Sequence, residues 1–173
     1  DVPKKRRPLN RPLKKQLLLL RHAKSEGMST SKADIDRLLL PSGKDHAHQI
    51  GHYIQTTIGT PDRILCSPAQ RTQQTLEKLQ LPPTNIRIEP TLYGAYASTL
   101  LQRIEEQSNA ITILLLIGHN PSISQLASRL ARTFLGDLPT CGLVHLEINA
   151  TCWTQIPEAS TTLLAPPYSE KRR

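Results

Sequence analysis

The segment QLLLLRH, residues 16–22, sets four consecutive leucines directly against an arginine and a histidine. An uninterrupted apolar run of this kind reads as a strand covered on both faces, because a strand with one solvated face alternates apolar and polar residues. Strands of that type belong to parallel sheets flanked by helices, where ligands gather beyond the carboxyl ends of the strands. The run therefore delivers Arg21 and His22 to the edge at which chemistry is expected.

Working outward, a polar stretch (KSEGMSTSKAD, 24–34) leads to PSGKDHAHQIGHYIQTTIG (41–59), where Ala47, Ile50, Ile54 and Ile58 recur at helical spacing. Ser42 with Asp45 marks its start and Gly59 its end. DRILCS (62–67) is a second short strand, and SPAQRTQQTLEKLQ (67–80) a second helix with Ala69, Leu76 and Leu79 on its apolar face. Ser67 as cap, Pro68 in the first turn and Gln70 as the reciprocal partner mark that start. NIRIEP (85–90) predicts a third strand, YASTLLQRIEEQ (96–107) a helix, and AITILLLIGHNP (110–121) the most apolar strand of the chain. Asn120 and Pro121 repeat the cap-then-proline signature ahead of a helix over 120–135. In GLVHLEINATCWTQI (142–156), Val144, Leu146 and Ile148 alternate with His145 and Glu147, and a turn at Asn149-Ala150 predicts a last strand that closes an edge hairpin.

Strands alternating with amphipathic helices predict an α/β fold of three layers, α/β/α, with a mainly parallel sheet and one antiparallel edge hairpin. At 173 residues the chain accommodates one domain. That domain is read over 16–160, between a basic arm (1–15) and a tail (161–173).

The net charge of +8 resides in these two ends, and the interval between them balances twelve basic against twelve acidic residues. PKKRRP (3–8) has the composition of a polyanion-binding or import arm, but its prolines and charges fit a solvated terminus. With one Phe, one Trp and four Tyr, the chain lacks platforms for stacking bases, so a nucleic-acid role is set aside. Cys66, Cys141 and Cys152 form no paired framework, which points to a reducing, cytoplasmic setting. No apolar run approaches the roughly 20 residues of a membrane span, so no membrane association is expected.

Four chemically capable residues fall at the carboxyl ends of the predicted strands: Arg21 and His22 after the first, Arg71 in the helix after the second, and His119 after ITILLLIGH (111–119). Two guanidinium groups bind a phosphoryl dianion in bidentate fashion, and helix starts at Ser67 and Asn120 add positive dipole ends. A neutral imidazole beside such a clamp can attack phosphorus, since the arginines neutralise the charge that repels a nucleophile and disfavour protonation of the ring. His22 is the natural attacker, with His119 bonding the transferring oxygens.

LRHAKS (20–25), CSPAQRTQQT (66–75) and IGHNPS (117–122) together resemble the signature segments of the histidine phosphatase superfamily, with its phosphoglycerate mutase-like fold. The small size, PSGKDHAHQIGHYI and LYGAYASTLLQRI resemble its short bacterial phosphohistidine phosphatases of the SixA type. The resemblance implies phosphorylation of His22, a pocket completed by Arg21, Arg71 and His119, and neither metal nor organic cofactor. It implies as substrate a phosphohistidine-bearing protein or a small phosphomonoester; Ser25 and Asn120 join as substrate-binding residues, and the chain is expected to be a monomer.

The chain departs from the superfamily at three places. Ala23 stands where many members have glycine, and Asn120 follows His119 where the acid-phosphatase branch carries an acidic proton donor. The mutase-like branch places a glutamate before a Tyr-Gly pair; ahead of Tyr93-Gly94 the nearest acid is Glu89, the candidate general acid. A missing acid favours a leaving group that departs with little help, such as imidazole, whose unperturbed pKa is near ~6.5. The absence of a long insertion after the second strand predicts a shallow pocket open to a protein side chain.

Other readings are weaker. Cys66 and Arg71 are one residue short of the C-x5-R phosphate loop of cysteine phosphatases, and Pro68 removes an amide that loop needs. His46, His48 and His52 lack a further ligand at metal spacing and read as a solvated helix face. Asp36 is read as an anchor of the polar loop that contains Glu26. A general phosphomonoesterase and a non-catalytic phosphate-binding module are the rival functions; retention of both histidines argues against the second.

Overall fold

Leu17, Leu18, Leu19 and Leu20 are all fully buried, and they alternate between two separate cores. In this computed structural model, which describes residues 14–164, they form the middle of strand β1 (Lys15–Arg21). Removing each such side chain from water contributes roughly 1.5–3 kcal/mol, so the opening run anchors both sides of the sheet.

The sheet has six strands in the order β3-β2-β4-β1-β5-β6: β2 (Arg63–Cys66), β3 (Asn85–Ile88), β4 (Ile113–Gly118), β5 (Leu143–Ile148) and β6 (Thr161–Leu163). Strands β1 to β4 are mutually parallel, while β5 runs antiparallel to β1 and β6 antiparallel to β5. Helices α1 (Pro41–Tyr53) and α2 (Gln70–Leu79) cover one face, where Ala47, Ile50 and Leu79 pack with Leu18 and Leu20. Helices α3 (Ala97–Glu105) and α4 (Ser122–Ala131) cover the other, where Leu100, Ile104, Ile123 and Leu126 pack with Leu17 and Leu19. This is the three-layer, mainly parallel arrangement with an antiparallel edge pair. Among the described residues no helix is long and apolar enough to cross a membrane.

The helix starts differ from the sequence reading. Helix α1 begins at Pro41 behind Leu40, with no side-chain cap, because proline is already set for a first helical turn. It widens into a π turn (Ile54–Ile58) before Gly59, whose φ of 114° ends it. Helix α2 begins at Gln70 behind Ala69, so the capping box from Ser67 to Gln70 does not form. Helix α4 begins at Ser122, after a cis Asn120-Pro121 peptide.

The last strand also falls later than the sequence predicts. After β5 the chain leaves the sheet edge, because Trp153 is fully buried in the α3 and α4 core and its Nε1 donates to the Ile111 carbonyl at 3.0 Å. A short 3-10 turn (Trp153–Gln155) occupies the place of the expected strand. The chain returns as β6, in the segment read as the tail.

The other end carries a similar correction. Lys15, counted with the basic arm, is 2% exposed within β1. Its ammonium donates to the Asn109 and Ile111 carbonyls at 2.5 and 2.7 Å and lies 5.6 Å from the Trp153 ring centre. Lys14 forms an exposed ion pair with Glu147 at 2.9 Å. The remainder of the arm and most of the tail lie outside the described residues.

Candidate active site

Strand register assembles the site. Arg21 lies opposite Gly118 across the β1–β4 pair, and Cys66 opposite Ile117 across β2–β4. The next residues, His22, His119 and Ser67, therefore leave three neighbouring strands side by side. The ring centres of His22 and His119 are 5.4 Å apart.

His22 is 7% exposed, and its Nδ1 lies 2.7 Å from the carbonyl of Ala23. A carbonyl only accepts, so Nδ1 carries the hydrogen and Nε2 keeps its lone pair. Burial, with the neighbouring Arg71, Arg21 and Arg37, pushes the pKa down to about 4 against the opposing pull of the Ala23 carbonyl. Near neutral pH the ring is uncharged with Nε2 nucleophilic, as phosphoryl transfer requires.

Arg71 is 5% exposed; its Nη1 and Nη2 donate to the carbonyl and carboxylate of Asp34 at 2.8 and 3.1 Å. Arg21 donates from Nη1 to the Leu138 carbonyl at 2.9 Å. Both arginines leave a buried Nε–H without an acceptor among the described residues, as does the buried Nδ1 of His119. Buried polar atoms are seldom left so. Arg21, Arg71 and His119 are all electrostatic neighbours of one another or of His22, so two guanidinium groups and two imidazoles share one pocket, a set that suits an oxyanion.

His119 places Nε2 2.7 Å from the Ser67 hydroxyl and meets the Tyr93 ring edge-on at 5.8 Å. Burial first, then Arg71 and His22, push its pKa down to about 3. Ser67 thus serves His119 as well as the start of α2, where its Oγ accepts from the Ala69 N–H at 3.4 Å.

Asp34 and Arg37, which the sequence reading passed over, and Tyr93, which it used only as a landmark for Glu89, complete the site. The Asp34 carboxylate accepts from the Tyr93 hydroxyl at 2.5 Å, from Arg37 Nε at 2.9 Å and from Arg71. These bonds, that from Tyr93 foremost, hold its pKa at about 2 despite partial burial. Asp34, not Asp36, anchors the polar loop to the pocket. Asp36 is exposed and joins only the short 3-10 turn Asp34–Asp36. Arg37 donates to the Glu26 carbonyl at 2.5 Å and to Ser25 Oγ at 3.4 Å. The Asp34–Arg37 spacing of three was a faint signal, because polar loops carry such pairs often.

The remaining predicted residues lie around this centre. Ser25 is half-buried at the loop and bridges to Leu39. Asn120 is committed on both sides: its Nδ2 donates to the Leu138 carbonyl at 2.9 Å and its Oδ1 accepts from Ser124. Glu89 follows β3, and its backbone N–H donates to the Cys66 carbonyl at 2.9 Å. Cys66 is fully buried, its thiol pushed up to about 12 by that burial, far from a nucleophilic state.

The profile of the histidine phosphatase superfamily, branch 1, matches residues 17–94. An uncharacterized protein of Mycobacterium tuberculosis is 32% identical over 155 residues, covering 84% of this chain and 96% of its own length. Among solved structures, a candidate phosphohistidine phosphatase SixA from Nakamurella multipartitia superposes with a TM-score of 0.81 at 23% identity, over 90% of this chain and 96% of that one. Its counterpart from Agrobacterium tumefaciens gives 0.76 at 26% identity, over 87% of this chain and 96% of that one.

Proposed function

The chain belongs to the histidine phosphatase superfamily, and from that we propose that it removes the phosphoryl group of phosphohistidine on a partner protein. In the first step Nε2 of His22 attacks phosphorus as the bond to the leaving imidazole nitrogen breaks. Arg21 and Arg71 bind the equatorial oxygens, and their charge offsets what builds up there. The departing imidazole takes a proton from solvent. Water then attacks the phosphorus on His22, releasing orthophosphate and restoring the neutral ring.

The observation that carries the substrate choice is the protonation state of the nearby carboxylate. Asp34, the acid in contact with Arg71, is held ionised by three donors and has no proton to give. An alkoxide would need that proton, whereas an imidazole leaves with little help. Access supports the same reading, since three residues join Cys66 to the first residue of α2 and leave no insertion there to close over a small molecule. The free thiols of Cys66, Cys141 and Cys152 support a reducing, cytoplasmic setting. One chain supplies the whole pocket, as a monomer requires.

A general phosphomonoesterase is the second reading, and Glu89 is what favours it. It sits on the carboxyl edge of the sheet beside Cys66 and makes no side-chain hydrogen bond or ion pair among the described residues. Phosphate release from a phosphohistidine-bearing domain and from an alkyl phosphate separates the two. We expect turnover of the first, abolished by His22→Ala and unchanged in Glu89→Gln. Turnover of the alkyl phosphate alone, lost in Glu89→Gln, would overturn the assignment.

A further inference from the structure

Ser67 is wholly buried, and its hydroxyl lies 2.7 Å from Nε2 of His119. We propose that Ser67 is a positioning residue that fixes the neutral His119 ring with its hydrogen on Nδ1, so that the ring presents a donor to the transferring phosphoryl oxygens. The reading of the pocket as a phosphoryl site supplies the ligand in this statement; the tautomer itself rests on the local hydrogen bonds.

A serine hydroxyl has one hydrogen to give and two lone pairs to fill. The Ala69 N–H occupies one lone pair. Among the described residues, Nε2 of His119 at 2.7 Å is the acceptor within reach of the hydroxyl hydrogen. The reverse arrangement, Nε2–H pointing at Oγ, would strand that hydrogen in a fully buried side chain, and a buried donor left without an acceptor is costly. It would also turn an Nδ1 lone pair toward a bound oxyanion.

The backbone of Ser67 is held on both sides. The Ser67 N–H donates to the Ile117 carbonyl at 3.2 Å, and the Ser67 carbonyl accepts from the Thr72 hydroxyl at 2.8 Å. The other face of the device is Nδ1, buried and without a partner among the described residues. Charging the ring would add a cation beside Arg71 and Arg21, which the site already disfavours. A neutral ring that gave up its Nδ1 hydrogen would become an imidazolate. His119 is therefore a hydrogen-bond donor to the phosphoryl group and not the acid that protonates a leaving group.

The test is a long-range proton–nitrogen correlation spectrum of the nitrogen-15-labelled chain, free and with tungstate, on the native protein, Ser67→Ala and Ser67→Thr. The native chain is expected to carry hydrogen on Nδ1 of His119 and none on Nε2. Ser67→Ala should shift the ring toward the Nε2–H form and weaken tungstate binding about tenfold. Ser67→Thr, which keeps the hydroxyl, should restore both. An Nε2–H ring in the native chain would overturn the proposal without any variant, as would unchanged tautomer and affinity in Ser67→Ala. A threonine variant as impaired as alanine would show that Ser67 acts through packing. A chain that shows the Nδ1–H ring yet releases no phosphate would overturn the phosphatase reading and leave this one standing.

Discussion

A histidine titrating near its ordinary 6.5 would be half charged in mildly acidic solution and a poor nucleophile there. Burial beside Arg71, Arg21 and Arg37 moves His22 to about 4, so its ring resonances should stay those of the neutral form down to pH 5 in an NMR titration. A midpoint near 6.5 would contradict the packing described. Asp34 is the second residue whose state can be tested. Its carboxylate ties Arg71, Arg37 and Tyr93 together. Asp34→Asn should raise KM for an aryl phosphate by about tenfold, because charge-assisted bonds of roughly 1.5–3 kcal/mol are lost around Arg71. Tyr93→Phe should cost less, since it removes one neutral donor and leaves both ion pairs. Arg21, His22, Arg71 and His119 were legible because strand ends and a helix start fix where they fall. Asp34 was not: in a polar loop nothing in the sequence separates it from Asp36, and its partners Arg71 and Tyr93 lie 37 and 59 residues away.

Helices α1 and α2 cross so closely that a Cβ on Gly51 would stand 1.9 Å from the Leu79 carbonyl oxygen. Gly51→Ala should therefore lower unfolding free energy by about 1–3 kcal/mol while leaving kcat nearly unchanged, since the crossing lies toward the end of α1 remote from the pocket. Gly43, in the first turn of α1, is different. A Cβ there would stand 2.2 Å from the Lys24 carbonyl oxygen, next to the Ala23 carbonyl that orients His22. Gly43→Ala should lower kcat as well as stability, and equal effects of the two substitutions on kcat would show that the loop absorbs the displacement. The strands and helices that carry these contacts were legible from apolar runs and helical spacing, which report burial directly. The last strand was not. TTL (161–163) is short and partly exposed, and the long-range burial of Trp153 that displaces the preceding segment leaves no periodicity in the chain.

Over the whole molecule, His22 and His119 link folding to pH. Both have folded values, about 4 and about 3, below the 6.5 of an unfolded histidine. Between those limits the unfolded chain binds more protons than the folded one. The stability present above pH 6.5 is thus lost as pH falls through about 4 for His22 and about 3 for His119, and Asp34, held at about 2, adds its own loss at the acid end of that range. The urea midpoint at pH 4.5 should lie below that at pH 7.5, and an equal midpoint at both would contradict the burial of the two rings. The sheet that holds these rings also has a direction. Strand β1 enters at Lys15 and ends at Arg21 after seven residues, a separation of roughly 20 Å between the lysine pinned under Trp153 and the pocket. A fusion partner or a solid support joined ahead of residue 14 therefore grips the protein by the pole opposite its mouth. Such a tethered enzyme would hold its pocket outward like a cup on a stem, and even a bulky substrate would reach it as freely as in solution.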